Sequence, residues 1–165
     1  MRRTYILHEL LVNGLNYRFH RLTGSPCAPQ AVSLEVTHQC MSRCMMCSIW
    51  KIQSSVPDVP LHKWIQFLSS PFFSDIREID IAGGEPFLRK DLEELVSAVV
   101  DLKSHSLKKL RGIAITTYNY LTKRILQMTG QMASILREID MDLVFALGMD
   151  GVGEMHNRIQ RVRRM

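Results

Sequence analysis

The sequence predicts an α/β fold built on a parallel sheet, and three observations predict it. Short runs of β-branched residues with period two recur along the chain. Stretches with apolar residues at helical spacing separate them. The unusual clusters of cysteine, glycine and acid all fall where a strand should end. Composition agrees: 165 residues, 46% hydrophobic and 22% charged, with nine glycines and six prolines, exclude a disordered or collagen-like chain. That length suffices for one sizeable core.

Taken in order, Leu7, Leu11, Leu15, Phe19 and Leu22 lie at helical spacing with Arg18 and Arg21 interleaved, which predicts an amphipathic helix that Gly14 could break. Its polar face is not strongly basic, so packing on the main domain is expected rather than a membrane surface. Thr23 to Pro26, with Pro29, reads as a linker, so residues 1–30 stand apart from 31–165. Val32, Leu34 and Val36 then mark a first strand. Leu61, Trp64, Ile65 and Leu68 mark a helix behind Pro60.

Ile79 and Ile81 mark a second strand running into Ala82-Gly83-Gly84. Leu92, Leu95, Val96 and Val99 follow as a helix, with Asp91 expected as its cap. Ile113 and Ile115 mark a third strand. Leu121, Ile125, Met128, Met132, Ile135 and Ile139 make the next helix, which carries Gly130 at some cost. The apolar run Leu143 to Leu147 is expected to be a strand buried on both faces. Four such units, with no internal repeat, predict right-handed crossovers and chemistry at the C-terminal ends of the strands.

No stretch approaches the ~18 consecutive apolar residues of a membrane span. Met1-Arg2-Arg3 resembles the start of a signal peptide, but His8, Glu9 and Asn13 interrupt the apolar region and no small-residue cleavage site follows. Four cysteines are too few for a disulfide scaffold, so a reducing, cytoplasmic compartment is expected. The net charge is +5, and its arginines gather at the two ends: Arg2, Arg3, Arg18 and Arg21, then Arg158, Arg161, Arg163 and Arg164. Between the ends the chain is net acidic. These arginines read as solvated, and the pattern argues against nucleic acid as a partner.

Cys40, Cys44 and Cys47 form C-x3-C-x2-C directly after the first strand. Three thiolates from one loop suit a soft metal. A structural zinc would want a fourth ligand, for which His38 is the nearest choice; Cys27 lies at the opposite end of the strand and should be distant. A cubane [4Fe-4S] cluster held by only three cysteines would keep one iron open to an exchangeable ligand.

The C-x3-C-x2-C spacing, coinciding with Gly83-Gly84-Glu85-Pro86 at the end of the second strand, resembles the signature of the radical S-adenosylmethionine (SAM) superfamily from about Val32 onward. The resemblance implies a partial (β/α) TIM-like barrel. It makes Cys40, Cys44 and Cys47 ligands of a [4Fe-4S] cluster whose fourth iron binds SAM through its amino and carboxylate groups. Reductive cleavage of SAM would yield a 5′-deoxyadenosyl radical that abstracts hydrogen from a substrate the sequence does not identify. It implies an electron donor such as a flavodoxin or ferredoxin.

Gly83, Gly84, Glu85 and Pro86 match the family's G-G-E-P contact to the SAM amino group. Met46, before the third cysteine, stands where an aromatic residue usually packs near the adenine. Thr117 and Asn119 belong to the segment where relatives have a T-N-G turn; Tyr118 replaces the asparagine, and Asn119 the glycine, as a residue that tolerates positive φ. Asp150 matches the aspartate after the fourth strand, and Gly148 replaces a serine whose hydroxyl would meet the SAM carboxylate. His156 reads as a residue of the following helix start. The family's core has six βα units, whereas this chain stops after about four. The expectation is therefore a truncated product or fragment, or a partner covering the open sheet edge, with cluster binding but no turnover as the second reading and a zinc module as the third.

Overall fold

A computed structural model describes residues 2–52 and 55–161, with the side chains of residues 2–6 and 9 excepted. Arg163 and Arg164 of the basic C-terminus lie outside the described residues.

The predicted alternation is present. Helix α1 (Arg2–Thr23) precedes strand β1 (Ala31–Thr37), the short α2 (Ile49–Ile52) and α3 (Leu61–Leu68). Strand β2 (Glu78–Gly83), α4 (Leu92–Lys103), β3 (Gly112–Thr117), α5 (Thr122–Glu138), β4 (Asp142–Leu147) and α6 (Glu154–Gln160) follow. The four strands form one parallel sheet in the order β1-β2-β3-β4. In a doubly wound sheet the order reverses at a switch point. Here each crossover steps the same way, as in consecutive units of a β/α barrel.

The alternation of side chains shows what that winding does. Leu34, Ile79, Ile81, Ile113 and Ile115 are buried and meet Leu68 of α3, Leu92, Leu95, Val96 and Val99 of α4, and Ile125, Met128, Met132 and Leu136 of α5 in one apolar cluster. The opposite face carries Ser33, Glu35, Asp80, Ala114, Thr116 and Val144, and none of these is buried. Helices thus cover one face of the sheet, and among the described residues the other is bare. A cavity of about 920 Å³ lies on it, lined by residues including Ser33, Asp80, Ala114 and Val144.

Helix α4 shows how locally the pattern is determined. Leu92, Leu95, Val96 and Val99 fall on one face at i, i+3, i+4 and i+7, Glu93 and Glu94 occupy the first turn, and Lys103 the last, each charge placed to suit the helix dipole.

Four expectations are corrected. Helix α1 runs through Gly14 without a break, and none of its described side chains is buried: Leu7, Leu11, Leu15, Phe19 and Leu22 are all exposed, so α1 is not packed into the core. Strand β4 is not buried on both faces, because it is the sheet edge and its inner face is uncovered; Val144 is 54% and Leu147 58% exposed. Asp91 makes no side-chain cap to α4. The buried Arg89 claims its carboxylate instead, through Nε at 2.8 Å and a second nitrogen at 2.9 Å. Arg89 also donates to the Val36 carbonyl at 2.7 Å, so this pair ties the start of α4 to β1.

Candidate functional site

The C-terminal ends of β1 and β2 are joined more tightly than a regular ladder would require. Their register shifts between Glu35 and Thr37, so that Thr37 pairs with Gly83. Gly83 has φ of 125°, and a Cβ there would sit 2.4 Å from the Thr37 carbonyl oxygen. At Gly84 a Cβ would lie 2.2 Å from the Gln39 carbonyl oxygen and 3.1 Å from the Cys40 Cβ. Only glycine at both positions allows this approach. The Gly84 N–H then donates to the Thr37 carbonyl at 2.8 Å and the Glu85 N–H to the Gln39 carbonyl at 2.7 Å, which carries the pairing past the strands up to Cys40.

Glu85 is 2% exposed. Its carboxylate accepts the Thr117 hydroxyl at 2.9 Å, the Tyr118 N–H at 3.2 Å and the Phe87 N–H at 3.3 Å. Burial pushes the Glu85 carboxyl above its ordinary range, and those three hydrogen bonds draw it part of the way back. Glu85 therefore brackets β2 to β3, and Thr117, also buried, is spent on the same bracket. The Thr117 hydroxyl further accepts the Asn119 N–H at 3.1 Å. Asn119 has φ of 61°, the left-handed conformation expected of a residue in the glycine's place. Pro86 is buried at the start of a single 3-10 turn, Pro86–Leu88.

The three cysteine thiols occupy the loop that leaves β1. Cys44 is buried, and Cys40 and Cys47 are half-buried; none of the three is in a disulfide. Burial raises the Cys44 thiol most, and the charges of Cys40, Cys47 and Asp150 raise it further. Burial likewise raises Cys40; hydrogen bonds from Ser42 oppose this, while Glu85 and Cys47 add to it. The three thiols and Asp150 therefore share one electrostatic neighbourhood. Among the described residues, no three His, Cys, Asp or Glu side chains stand close enough together to make a finished metal site. His38, the alternative fourth ligand, has its Nε2 3.7 Å from the Glu35 carboxylate. Cys27 is exposed.

Beside the thiols stand Tyr118, Tyr120 and the turn after β4. Burial raises both phenols, and the charges of Cys44 and Asp150 add to each. The Tyr118 ring lies on Gly148: a Cβ there would come within 2.4 Å of Cε1 and 2.6 Å of Cδ1. An open cavity of about 480 Å³ adjoins them, lined by residues including Tyr118, Asn119, Gly148 and His156. Met46, by contrast, is 67% exposed, its thioether packed against nothing that would bury it.

Of the residues singled out in the sequence, the structure sets Gly84 against Cys40 and Glu85 against Thr117, and leaves Cys40, Cys44, Cys47 and Asp150 within electrostatic reach of one another without the three thiols converging on one point. It adds Ser42, Tyr118, Tyr120 and Gln160, none of which the sequence marked as part of a site. Tyr118 could have been found from the paired departures at 118 and 148; the others carry no local signal.

The donor set fits a three-cysteine cluster in kind. Three soft thiols come from one loop, Gly84 lets the end of β2 close against Gln39 and Cys40, and the carboxylates of Glu85 and Asp150 are held by hydrogen bonds within the protein.

No family model matches the chain. It is 36% identical over 75 residues to a PqqA peptide cyclase of Bradyrhizobium diazoefficiens, covering 45% of this chain and 20% of that protein. It is 33% identical over 95 residues to a GTP 3′,8-cyclase of Aliarcobacter butzleri, covering 56% of this chain and 28% of that protein. A GTP 3′,8-cyclase of Helicobacter pylori is 29% identical over 97 residues, covering 57% and 29%. In each case the match spans less than a third of the relative's length.

Proposed function

We propose that this chain is a radical SAM protein, a reading supported by its partial matches to PqqA peptide cyclases and GTP 3′,8-cyclases, and that Cys40, Cys44 and Cys47 hold a [4Fe-4S] cluster at which SAM is bound and reductively cleaved. The observation that carries the reading is the juxtaposition of the three-thiol loop with the Gly83–Gly84 end of β2, where a Cβ at 84 would strike Gln39 and Cys40. A cluster held by Cys40, Cys44 and Cys47 would supply, when bound, the one-electron chemistry by which SAM is reductively cleaved for hydrogen abstraction.

The chain's own residues have simpler tasks. Burial raises the Cys40 and Cys44 thiols, and a thiol gives up its proton on binding iron. Gly83 and Gly84 offer main chain rather than side chain to a ligand beside Cys40. Glu85 and Thr117 fix the spacing of β2 and β3 beneath it, while Asn119 and Asp150 shape the rim. Met46, lying outside, would have to turn inward to cover an adenine.

On this reading residues 31–165 are the incomplete core of a partial TIM-like barrel, residues 1–30 stand outside it, and a flavodoxin or ferredoxin supplies the electron. No helix among the described residues is long and apolar enough to cross a membrane, and we take the cytoplasm as the compartment. One stretch of this chain resembles a cyclase named for a peptide and another named for GTP. That supports assigning it the chemistry those enzymes share, with substrate choice lying elsewhere.

A second reading, cluster binding without turnover, is favoured by the uncovered inner face of the sheet and by Tyr118 standing over Gly148. One experiment separates the two. The chain is reconstituted anaerobically with iron and sulfide, reduced with dithionite and given SAM, and 5′-deoxyadenosine is sought by chromatography. Its formation, and its loss in the Cys40→Ala, Cys44→Ala, Cys47→Ala triple variant, is the expected result. A cluster without the nucleoside supports the second reading, and no bound iron sinks both.

A further inference from the structure

The loop between Cys40 and Cys47 is tied to the end of α6. The Arg43 N–H donates to the Gln160 carbonyl at 2.9 Å and the Met45 N–H to the Ile159 carbonyl at 3.0 Å, one bond on either side of Cys44. The acceptors are the carbonyls of the last two residues of α6. Within the loop, the Cys47 N–H donates to the Cys44 carbonyl at 3.2 Å.

Side chains reinforce the clamp. Gln160 is fully buried, although it is polar and sits in the last turn of a seven-residue helix. Its Nε2 donates to the Asp150 carboxylate at 2.8 Å, and its Oε1 accepts the Tyr120 hydroxyl. Tyr120 also meets His156 Nε2 at 3.3 Å, while His156 Nδ1 accepts the Asp150 N–H at 3.3 Å. Ser42, buried between Cys40 and Cys44, acts on both the Cys40 thiol and the Tyr120 phenol, opposing the rise that burial gives each. A continuous polar chain runs from Tyr120 through Gln160 to Asp150. A buried amide with both ends engaged is costly to disturb, because removing one partner strands the other.

We propose that α6 latches the cysteine loop, and that Gln160 and Tyr120 are positioning residues that set the spacing of the three thiols before any metal arrives. The latch itself is a property of the metal-free chain; its consequence for iron rests on the cluster reading above.

The test is amide hydrogen exchange on the full metal-free chain under anaerobic, reducing conditions, comparing wild type with Gln160→Met and Tyr120→Phe. The amides of Arg43 and Met45 should exchange about tenfold faster in Gln160→Met, the effect of losing roughly two hydrogen bonds. The amides of β1, β2 and β3 should keep their wild-type rates. Tyr120→Phe removes only a hydroxyl and should give a smaller acceleration confined to the same loop. Iron retained per chain after reconstitution and desalting should fall in the same order, with a weaker visible absorption band.

Unchanged loop exchange in both variants overturns the latch. If Gln160→Met loosens the sheet as well, Tyr120→Phe decides alone, and an unchanged loop there overturns it. Wild-type chain that binds no iron defeats the cluster reading, while the exchange result still judges the latch.

Discussion

Tyr118 and Gly148 are the clearest case in which two departures from a family pattern explain each other. The aromatic ring at 118 takes up the space that any side chain at 148 would need, since a Cβ on Gly148 would overlap Cε1 and Cδ1. Gly148 is also held in place by its N–H, which donates to the Thr117 carbonyl at 3.0 Å, so the backbone has little room to retreat. Gly148→Ala should therefore cost about 1–3 kcal/mol, the usual range for overpacking. In a Tyr118→Ala background it should cost much less, and urea unfolding of the two single variants and the double variant measures that coupling. Additive effects would mean that the ring and the glycine are independent. Glu85 gives a prediction of a different kind. Its carboxyl is raised by burial, so the folded state binds a proton more readily than the unfolded chain does. The stability it contributes is full below the ordinary carboxylate range and is lost as pH rises through its raised folded value. Glu85→Gln removes that titration. The wild-type advantage over Glu85→Gln in urea midpoint should therefore shrink as pH rises from about 4 toward neutrality; a difference that grows with pH would refute the assignment.

At the scale of elements, what could be read in advance was what local pattern determines. The strands at Val32–Val36, Ile79–Ile81 and Ile113–Ile115, and the apolar face of α4, lie where period and spacing put them, because each is buried on the side that its periodicity marks. What was missed depends on neighbours distant in sequence. Leu143 to Leu147 looked like a central strand because composition records how apolar a strand is, not whether another strand lies beyond it; among the described residues β4 pairs with β3 alone. Asp91 looked like a cap until Arg89, buried beneath it, took its carboxylate. Helix α1 has an apolar stripe that predicts burial, yet Leu15 and Leu22 face outward, since periodicity identifies a face and cannot name what covers it. The site divides in the same way. Cys40, Cys44, Cys47, Gly83 and Gly84 were legible because close spacing and glycine carry chemistry locally. Gln160 was not, being a single polar residue in a short helix whose partners, Tyr120 and Asp150, are 40 and 10 residues away.

The whole molecule has an asymmetry that none of its elements shows alone. One face of the sheet is sealed by α3, α4 and α5, while the other presents Ser33, Asp80, Thr116 and Val144 over an open cavity, with Ser33 donating to the Asp80 carboxylate at 2.8 Å. On β4 this face carries the exposed Asp142 and then Val144 and Ala146. The edge strand therefore combines unpaired backbone N–H and C=O groups with exposed apolar side chains, the combination that invites pairing with another chain. Its one charge is Asp142 at the start of the strand, and Leu143 to Leu147 carry none. The chain should associate through β4, its sedimentation coefficient rising with concentration over about 5–200 μM, the range in which such exposed edges aggregate. Val144→Lys places a charge on that strand's bare face and should hold the chain at its monomer value over the same range, with an unchanged far-ultraviolet circular dichroism spectrum. The side chain at 144 can carry the charge without strain because it is more than half exposed. A wild-type chain that sediments identically at every concentration would mean that the β4 edge is protected by something other than its side chains. Equal association by wild type and Val144→Lys would move the contact elsewhere, with the exposed Leu15 and Leu22 of α1 the next surface to test.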